Sequence, residues 1–424
     1  MRHPHLGNSV TRQQLLDWFR QGRARSEAIF AIPKPEAYYT RPIELRNPIV
    51  FYEGHLPAFA INTLIKLALQ RDGIDAHYES LFERGIDPED ATSAKSPTDL
   101  WPSRDDVRAY GRRAEALLED ALTNGPIDDA AVPQRINAEA AFAILEHEQM
   151  HQETLLYMFH EMPYESKRAR PPLTSSPSSA AQHIEPSSVR VPAGVATLGA
   201  CDGDFAWDNE TPPQRVEVES FRIDKHNVTN REYLDYMRST GAPPPHFWAR
   251  REGEWYWRGM FGLTELLLDA PVYAMQDEAA AFAKWRGQRL MTEAEYHRAA
   301  FGTPAGAERR YPWGDEPPDP TRGNFGFTNW DPVPVGSYAR GASAWGVHDL
   351  AGNGWEWTAT PFAGFPGFTP MSSYPLYSVD FFDGKHFVMK GASPATAPEL
   401  VRRSFRNWFR PNYPYVYATF RCVW

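Results

Sequence analysis

Residues 166–188 divide the sequence into two parts of different texture, and no single fold serves both. Ser, Pro and Ala dominate this stretch, a composition that reads as a linker. Before it, glycine is sparse and apolar residues recur at helical spacing. After it, Gly, Pro, Trp and Asn cluster between short apolar runs, with turn signals such as Pro312-Trp313-Gly314-Asp315. The chain therefore reads as an α+β protein: a helical domain over 10–165, a linker over 166–188, and a loop-rich domain of short strands over 189–424. With 424 residues, each part is long enough to bury a core.

Charge and composition exclude several function classes. Lys+Arg number 44 against 54 Asp+Glu, and the net charge of −10 disfavours nucleic acid or an anionic membrane as a partner. No apolar run approaches the roughly 18 residues that a spanning helix needs. The opening Met1-Arg2-His3-Pro4-His5-Leu6 has no apolar segment of the kind a secretory signal carries. Cys201 and Cys422 are too few for a disulfide framework or an all-cysteine metal site. The expectation is a cytoplasmic protein, a monomer or weak homo-oligomer.

Four helices are predicted in the first part. One covers 12–30 with Leu15, Leu16 and Phe19 on one side, and one follows Phe51 with Leu56, Phe59, Leu64 and Ile65. A third begins after Pro102, where Ser103 and Asp106 resemble a capping box, and the fourth covers 136–160. Together they read as a four-helix bundle. The fourth helix carries His147 and His151 four residues apart, on the same face as Ala140, Ile144, Leu155 and Met158. Both imidazoles are thus predicted to face the bundle interior. There they need partners, which are either core hydrogen bonds or a shared metal ion, and spacing alone does not separate the two. Glu148 makes the run a formal match to the zinc-protease pattern His-Glu-x-x-His. Glu153 and His160, however, are poor third ligands for such a site. His55, beside Gly54 at the edge of the second apolar run, is a better one. Three neutral imidazoles suit iron, zinc, copper or nickel, so the donors do not choose the metal.

Motifs in the second part carry a family resemblance. Val228-Thr229-Asn230-Arg231-Glu232-Tyr233, Arg289 to Tyr296, Tyr311 to Asp315, Val333 to Ser337 and Gly346 to Trp357 occur in this order. They resemble the formylglycine-generating-enzyme (sulfatase-modifying factor) fold, which is C-type-lectin-like, over roughly 189–424. Those enzymes use a cysteine pair near the C-terminus, whereas Cys422 stands alone there, so their activity is not implied. The first part resembles the DinB-like four-helix bundle with its three-histidine metal site. Fusion of the two is the architecture of the nonheme-iron sulfoxide synthases: EgtB of ergothioneine biosynthesis, OvoA of ovothiol biosynthesis, and SenA of selenoneine biosynthesis. The resemblance implies Fe(II) held by His55, His147 and His151. It also implies a reaction joining the sulfur of cysteine, or a related thiol, to C2 of hercynine with oxidation to a sulfoxide and O2 as electron acceptor. Bundle and lectin-like domain are expected to close the pocket between them.

Further roles follow from the resemblance. Tyr374 and Tyr377 are the candidate catalytic tyrosines, Tyr374 delivering a proton or hydrogen atom and Tyr377 touching substrate. Asn407 and Trp408 match residues that contact the betaine, whose trimethylammonium group prefers an aromatic face. Phe409, followed by Arg410, stands where forms using γ-glutamylcysteine carry an Asp, which favours free cysteine or another small thiol. Met150 replaces a Gln that contacts substrate in some EgtB enzymes. Gly391-Ala392-Ser393-Pro394 and Thr419 also depart from EgtB, and the run from Asn47 to His55 is more OvoA-like. Alternative readings are an OvoA-like or SenA-like bond former, a DinB-type thiol S-transferase using zinc or nickel, and a lectin-like binding module without catalysis.

Overall fold

The computed structural model describes residues 1–7, 9–83, 101–170, 184–200 and 203–424. Most of the expected linker, and Cys201, therefore lie outside the described residues. The chain forms two compact units. The first contains Met1–Arg170 with Gly203–Phe205 and Met371–Pro375; the second contains Pro171–Asp202, Ala206–Pro370 and Leu376–Trp424.

In the first unit, α1 (Arg12–Phe30) opens with a capping box in which Thr11 accepts from the Gln14 amide and the Gln14 side chain returns to Thr11. Helix α2 (Ile49–Ala60) starts before Phe51: Pro48 holds an extended ψ of 161° at the N-cap and disfavours helix in the residue before it, so the helix begins at Ile49. Pro57 inside α2 cannot donate to the preceding turn, and the helix continues in wider π winding over Ile61–Ala68. A short helix absent from the sequence-based reading, α3 (Ala76–Leu81), is capped by Asp75, which accepts from the amides of His77 and Tyr78. Ser103 caps α4 (Arg104–Asn124) as predicted, accepting from the Asp106 amide.

Helix α5 (Glu139–His160) begins three residues later than its apolar pattern suggests. Asn137 and Ala138 adopt left-handed φ of 52° and 58°, which no α-helix accommodates. Its burial also differs from a single stripe. Every residue from Ala140 to Gln149 is buried, because α5 is enclosed on all sides like a core helix.

The second unit is built from short strands. An antiparallel four-stranded sheet runs in the order β1 (Ser188–Val191), β4 (Phe221–Asp224), β13 (Cys422–Val423), β8 (Arg289–Leu290). Strands β2 (Gly194–Leu198) and β3 (Gln214–Val218) form a hairpin, and β5 (Trp248–Arg251), β6 (Glu254–Arg258) and β7 (Leu263–Glu265) a meander. The remaining sheet has the order β11 (Asn407–Phe409), β10 (Phe387–Ala392), β9 (Gly354–Pro361), β12 (Ala418–Thr419), with β12 parallel to β9. Helices α6 (Asn230–Thr240) and α8 (Glu293–Phe301) start at capping boxes on Thr229 and Thr292, and α7 (Gln276–Trp285) lies between them in sequence. Val191, Ile223, Met291, Leu350 and Val423 sit in the core these elements share. A fully buried Arg421–Glu356 ion pair at 2.6 Å crosses it, and Arg421 also donates to the His348 carbonyl at 2.8 Å. With its hydrogen-bonding groups occupied, the pair avoids the heavy penalty of an uncompensated buried charge.

Asp349 is the costly member of this region. Burial pushes its carboxyl up from 3.8 to about 6, against the opposing Gly336 amide at 2.6 Å and Arg421. A folded-state value above the unfolded one means that the folded protein binds the proton more tightly between these limits. Stability on this account is highest below pH 4 and declines as pH rises through about 6. Asp349→Asn removes the titration and keeps an acceptor for Gly336. Its effect on urea-unfolding free energy is expected to be more favourable at pH 7.5 than at pH 4.5 by ~1–3 kcal/mol; equal effects at both pH values would refute it.

Candidate metal centre and aromatic site

Within the first unit, His55, His147 and His151 offer ring nitrogens that all lie within 4.8 Å of one another. They form the three-donor metal cluster found among the described residues. Helix α2 supplies His55, and α5 supplies the other two from one face, four residues apart. Their rings meet edge-on, with His55 centred 5.1 Å from His147 and 4.9 Å from His151. His55 Nδ1 lies 2.8 Å from the Phe82 carbonyl. A carbonyl only accepts, so Nδ1 carries the proton and Nε2 keeps its lone pair for a ligand. Gly54 makes this possible, since a Cβ there would lie 2.5 Å from the Phe82 ring.

Burial keeps the imidazoles neutral. The His55 value falls to about 4, offset only partly by the Phe82 carbonyl. His147 and His151 are pushed well below the ordinary range by burial first and then by the repulsion a proton would meet from adjacent groups, His151 and His55 for His147, His55 and the Arg46 guanidinium for His151. Nε2 of His147 and Nε2 of His151 stand 3.1 Å apart. Without a cation, one of these two must spend its proton on the other; a shared cation satisfies both lone pairs. Three neutral nitrogens converging in a buried space thus fit a divalent transition metal.

Glu148 has a different task. It accepts from Arg23 at 2.8 Å and from the Ser26 hydroxyl at 2.6 Å, both on α1. One residue along a helix rotates the side chain by about 100°, which turns Glu148 away from the ligand face. The zinc-protease role of that glutamate is therefore absent despite the matching spacing. Glu148→Ala is expected to leave metal content unchanged while lowering unfolding free energy by ~1–3 kcal/mol. Urea melts and metal analysis of the purified variant check both; metal loss at native stability would reverse the assignment.

Tyr374 belongs to the first unit and packs at this site. Its half-buried ring meets Phe59 edge-on at 5.2 Å and His147 at 6.4 Å, while Phe59 stacks on His147 at 3.5 Å. Met150 lies on α5 between the two α5 histidines and is partly exposed. Tyr377, three residues after Tyr374, belongs to the second unit, so the two candidate tyrosines part company.

The second unit gathers Tyr377 with Asn407 and Trp408. Trp408 stacks on Phe362 at 4.2 Å, and Tyr377 meets it edge-on at 5.4 Å while stacking on Trp207 at 4.1 Å. The Asn407 side-chain oxygen accepts from the Trp408 amide at 2.9 Å. Phe409 stacks on Tyr413 at 5.0 Å. Buried charges fix this strand from behind. Arg406 pairs with Glu293 at 3.0 Å, and Lys390 donates to the carbonyls of Arg403 and Phe405 at 2.9 and 2.6 Å. Burial lowers the Lys390 ammonium to about 8. Cys422 is buried in β13 and its thiol is pushed up by that burial, so it offers no reactive thiolate.

Several site residues carry no signal in their type. Phe82 acts through its backbone carbonyl. Phe59 reads as one more member of an apolar run. Only Gly54, beside a histidine in that run, hints at a close approach.

Comparison with known proteins agrees with this division. Residues 174–424 match the sulfatase-modifying factor enzyme 1-like domain, and residues 19–155 match the DinB superfamily. The chain is 36% identical over 346 residues to the hercynine oxygenase of Mycolicibacterium smegmatis, covering 75% of this chain and 78% of that one. It is 35% identical over 449 residues to the hercynine oxygenase of Mycolicibacterium thermoresistibile, covering 97% and 94%. It is 30% identical over 487 residues to ergothioneine biosynthesis protein 1 of Neurospora crassa, covering 92% of this chain and 55% of that longer protein. With two catalytic-scale halves matched in order and a relative aligned nearly end to end, the chain belongs to the hercynine oxygenase family and is an oxidoreductase.

Proposed function

We propose that this protein is an Fe(II)- and O2-dependent sulfoxide synthase that joins cysteine, or a related small thiol, to C2 of hercynine in ergothioneine biosynthesis. The observation that carries this reading is the convergence of His55, His147 and His151, with the Tyr374 ring packed beside His147, in a member of the hercynine oxygenase family. In this reading residues 10–165 supply the metal ligands, 166–188 link the halves, and 189–424 supply the substrate-binding residues. No helix among the described residues is long and apolar enough to cross a membrane, and we place the reaction in the cytoplasm.

The balance of the reaction is simple. An S–H bond and the C2–H bond break, a C–S bond and an S=O bond form, and O2 takes up four electrons, its second oxygen leaving as water. Iron, when bound, supplies the one-electron chemistry that lets O2 react with the thiol. The chain's own groups do the rest. His55, His147 and His151 present three neutral donors on one side and leave other positions open. Phe59 covers His147 and keeps water from that face. Tyr374 holds a hydroxyl proton for the oxygen step. Trp408 and Tyr377 offer aromatic surface to the trimethylammonium group, and Asn407 offers an amide to the betaine. Neither Met150 in the helical unit nor Phe409 in the second unit adds a charge, which suits free cysteine better than a second carboxylate.

Anaerobic loading with Fe(II), followed by O2 uptake and product mass with hercynine plus cysteine, tests the reading. The hercynylcysteine sulfoxide mass is expected, at one O2 per product. Iron uptake without that mass overturns the substrate pair, and parallel assays with histidine and with a selenium donor then discriminate OvoA-like and SenA-like chemistry. Turnover in zinc-loaded protein without O2 would point to a thiol S-transferase instead.

A further inference from the structure

Helix α5 starts in an unusual way. Two consecutive non-glycine residues, Asn137 and Ala138, hold left-handed φ of 52° and 58°, a conformation that costs energy unless its surroundings impose it. Asn137 is held from outside: its side-chain oxygen accepts from the Arg2 amide and its side-chain nitrogen donates to the Arg2 carbonyl at 2.9 Å. Ala138 provides no side-chain cap for the helix.

The first helical residue after this turn is Glu139, and its carboxylate has partners away from α5. It accepts from the Ser373 amide at 2.8 Å, and the Ser372 amide also faces it. These amides immediately precede Tyr374. An acid in a first helical turn ordinarily serves the helix dipole, worth roughly 0.3–1 kcal/mol. That role asks for no partner from a segment more than two hundred residues away in sequence, and it does not account for a partly buried carboxylate whose burial opposes its charge. The two ends of α5 are thus differently engaged. Glu139 grips the tyrosine-bearing segment, and His147, eight residues and about 12 Å of helix rise further on, touches the tyrosine ring itself.

We propose that Glu139 is a positioning residue: its carboxylate ties Met371–Pro375 to the start of α5, and thereby sets where the Tyr374 ring sits relative to the histidines on that helix. Its catalytic meaning rests on the role proposed above for Tyr374. Helix α5 then carries two of the three candidate metal ligands, His147 and His151, together with the anchor of the proton donor, so these share a rigid frame.

Amide hydrogen exchange of the metal-free protein tests the clamp without any turnover. In Glu139→Ala, exchange across 371–375 is expected to quicken by at least ~10-fold, while Glu139→Gln, whose amide oxygen still accepts, stays close to the parent. In the iron-loaded enzyme, Glu139→Ala should lower kcat by ~10–100-fold, with KM values and iron content within about twofold. The double variant Glu139→Ala/Tyr374→Phe should be no slower than Tyr374→Phe alone, since residues acting through one another are not additive. Unchanged exchange in Glu139→Ala overturns the proposal. So does a penalty that adds in full to that of Tyr374→Phe, or iron loss that parallels the loss of rate. Faster exchange together with full turnover in Tyr374→Phe supports the clamp and overturns the tyrosine's role in the proposed function, which separates the two claims.

Discussion

His147→Ala is expected to abolish iron loading and product formation together. His147 is buried, stacked on Phe59 at 3.5 Å and with Nε2 3.1 Å from Nε2 of His151. Its removal leaves two donors and a gap against Phe59 that water can enter. Iron affinity should fall by at least ~100-fold, more than the ~10–100-fold typical of losing an outer partner of a metal site. Titration with Fe(II) under anaerobic conditions, followed by metal analysis after gel filtration, reads the affinity. A variant that keeps stoichiometric iron but loses activity would remove His147 from the ligand set. Circular dichroism separates metal loss from misfolding, because α5 is largely buried and its collapse would be visible in the helical signal.

Tyr374→Phe is expected to lower kcat by ~10²–10⁴-fold, the range associated with losing a positioned proton donor. Phenylalanine keeps the ring, and with it the contacts to Phe59 and His147. Iron content and KM should therefore stay within about threefold of the parent, with the loss confined to the chemical step. Steady-state kinetics of iron-loaded enzyme with hercynine and cysteine checks this. A comparable loss in Tyr377→Phe, with Tyr374→Phe unimpaired, would exchange the two roles. The packing distinguishes them: Tyr377 lies between Trp207 and Trp408, in an aromatic cluster suited to holding a cationic ligand.

Much of the helical unit was legible because helices announce themselves through spacing and caps. The pair His147 and His151 needed only the four-residue repeat, and Ser103 marked the start of α4 correctly. The start of α5 was misjudged because a pattern of apolar residues says nothing about the left-handed turn at Asn137 and Ala138. The motif His-Glu-x-x-His misled in the same way: it specifies intervals, whereas the side of the helix that Glu148 occupies is decided by Arg23 and Ser26 on α1. The second half was legible through family motifs, since its strands are two to eight residues long and too short for periodicity to identify. The ties of Phe82 to His55 and of Glu139 to Ser373 span 27 and 234 residues of sequence. Such ties come from tertiary structure, and neither residue type discloses them.

Gly203–Phe205 and Met371–Pro375 belong to the helical unit although each is embedded in sequence of the other. Phe205 stacks near Phe142 and His3, and Tyr374 sits beside the histidines. A gene cut at the linker would thus yield a bundle missing a core ring and its tyrosine, and a partner fragment carrying two orphaned loops. Neither half is an interchangeable module. Recombination that swaps the bundle for a homologous one must carry these loops with it, so the two halves are bound to change together over evolution even at positions that never meet in the sequence.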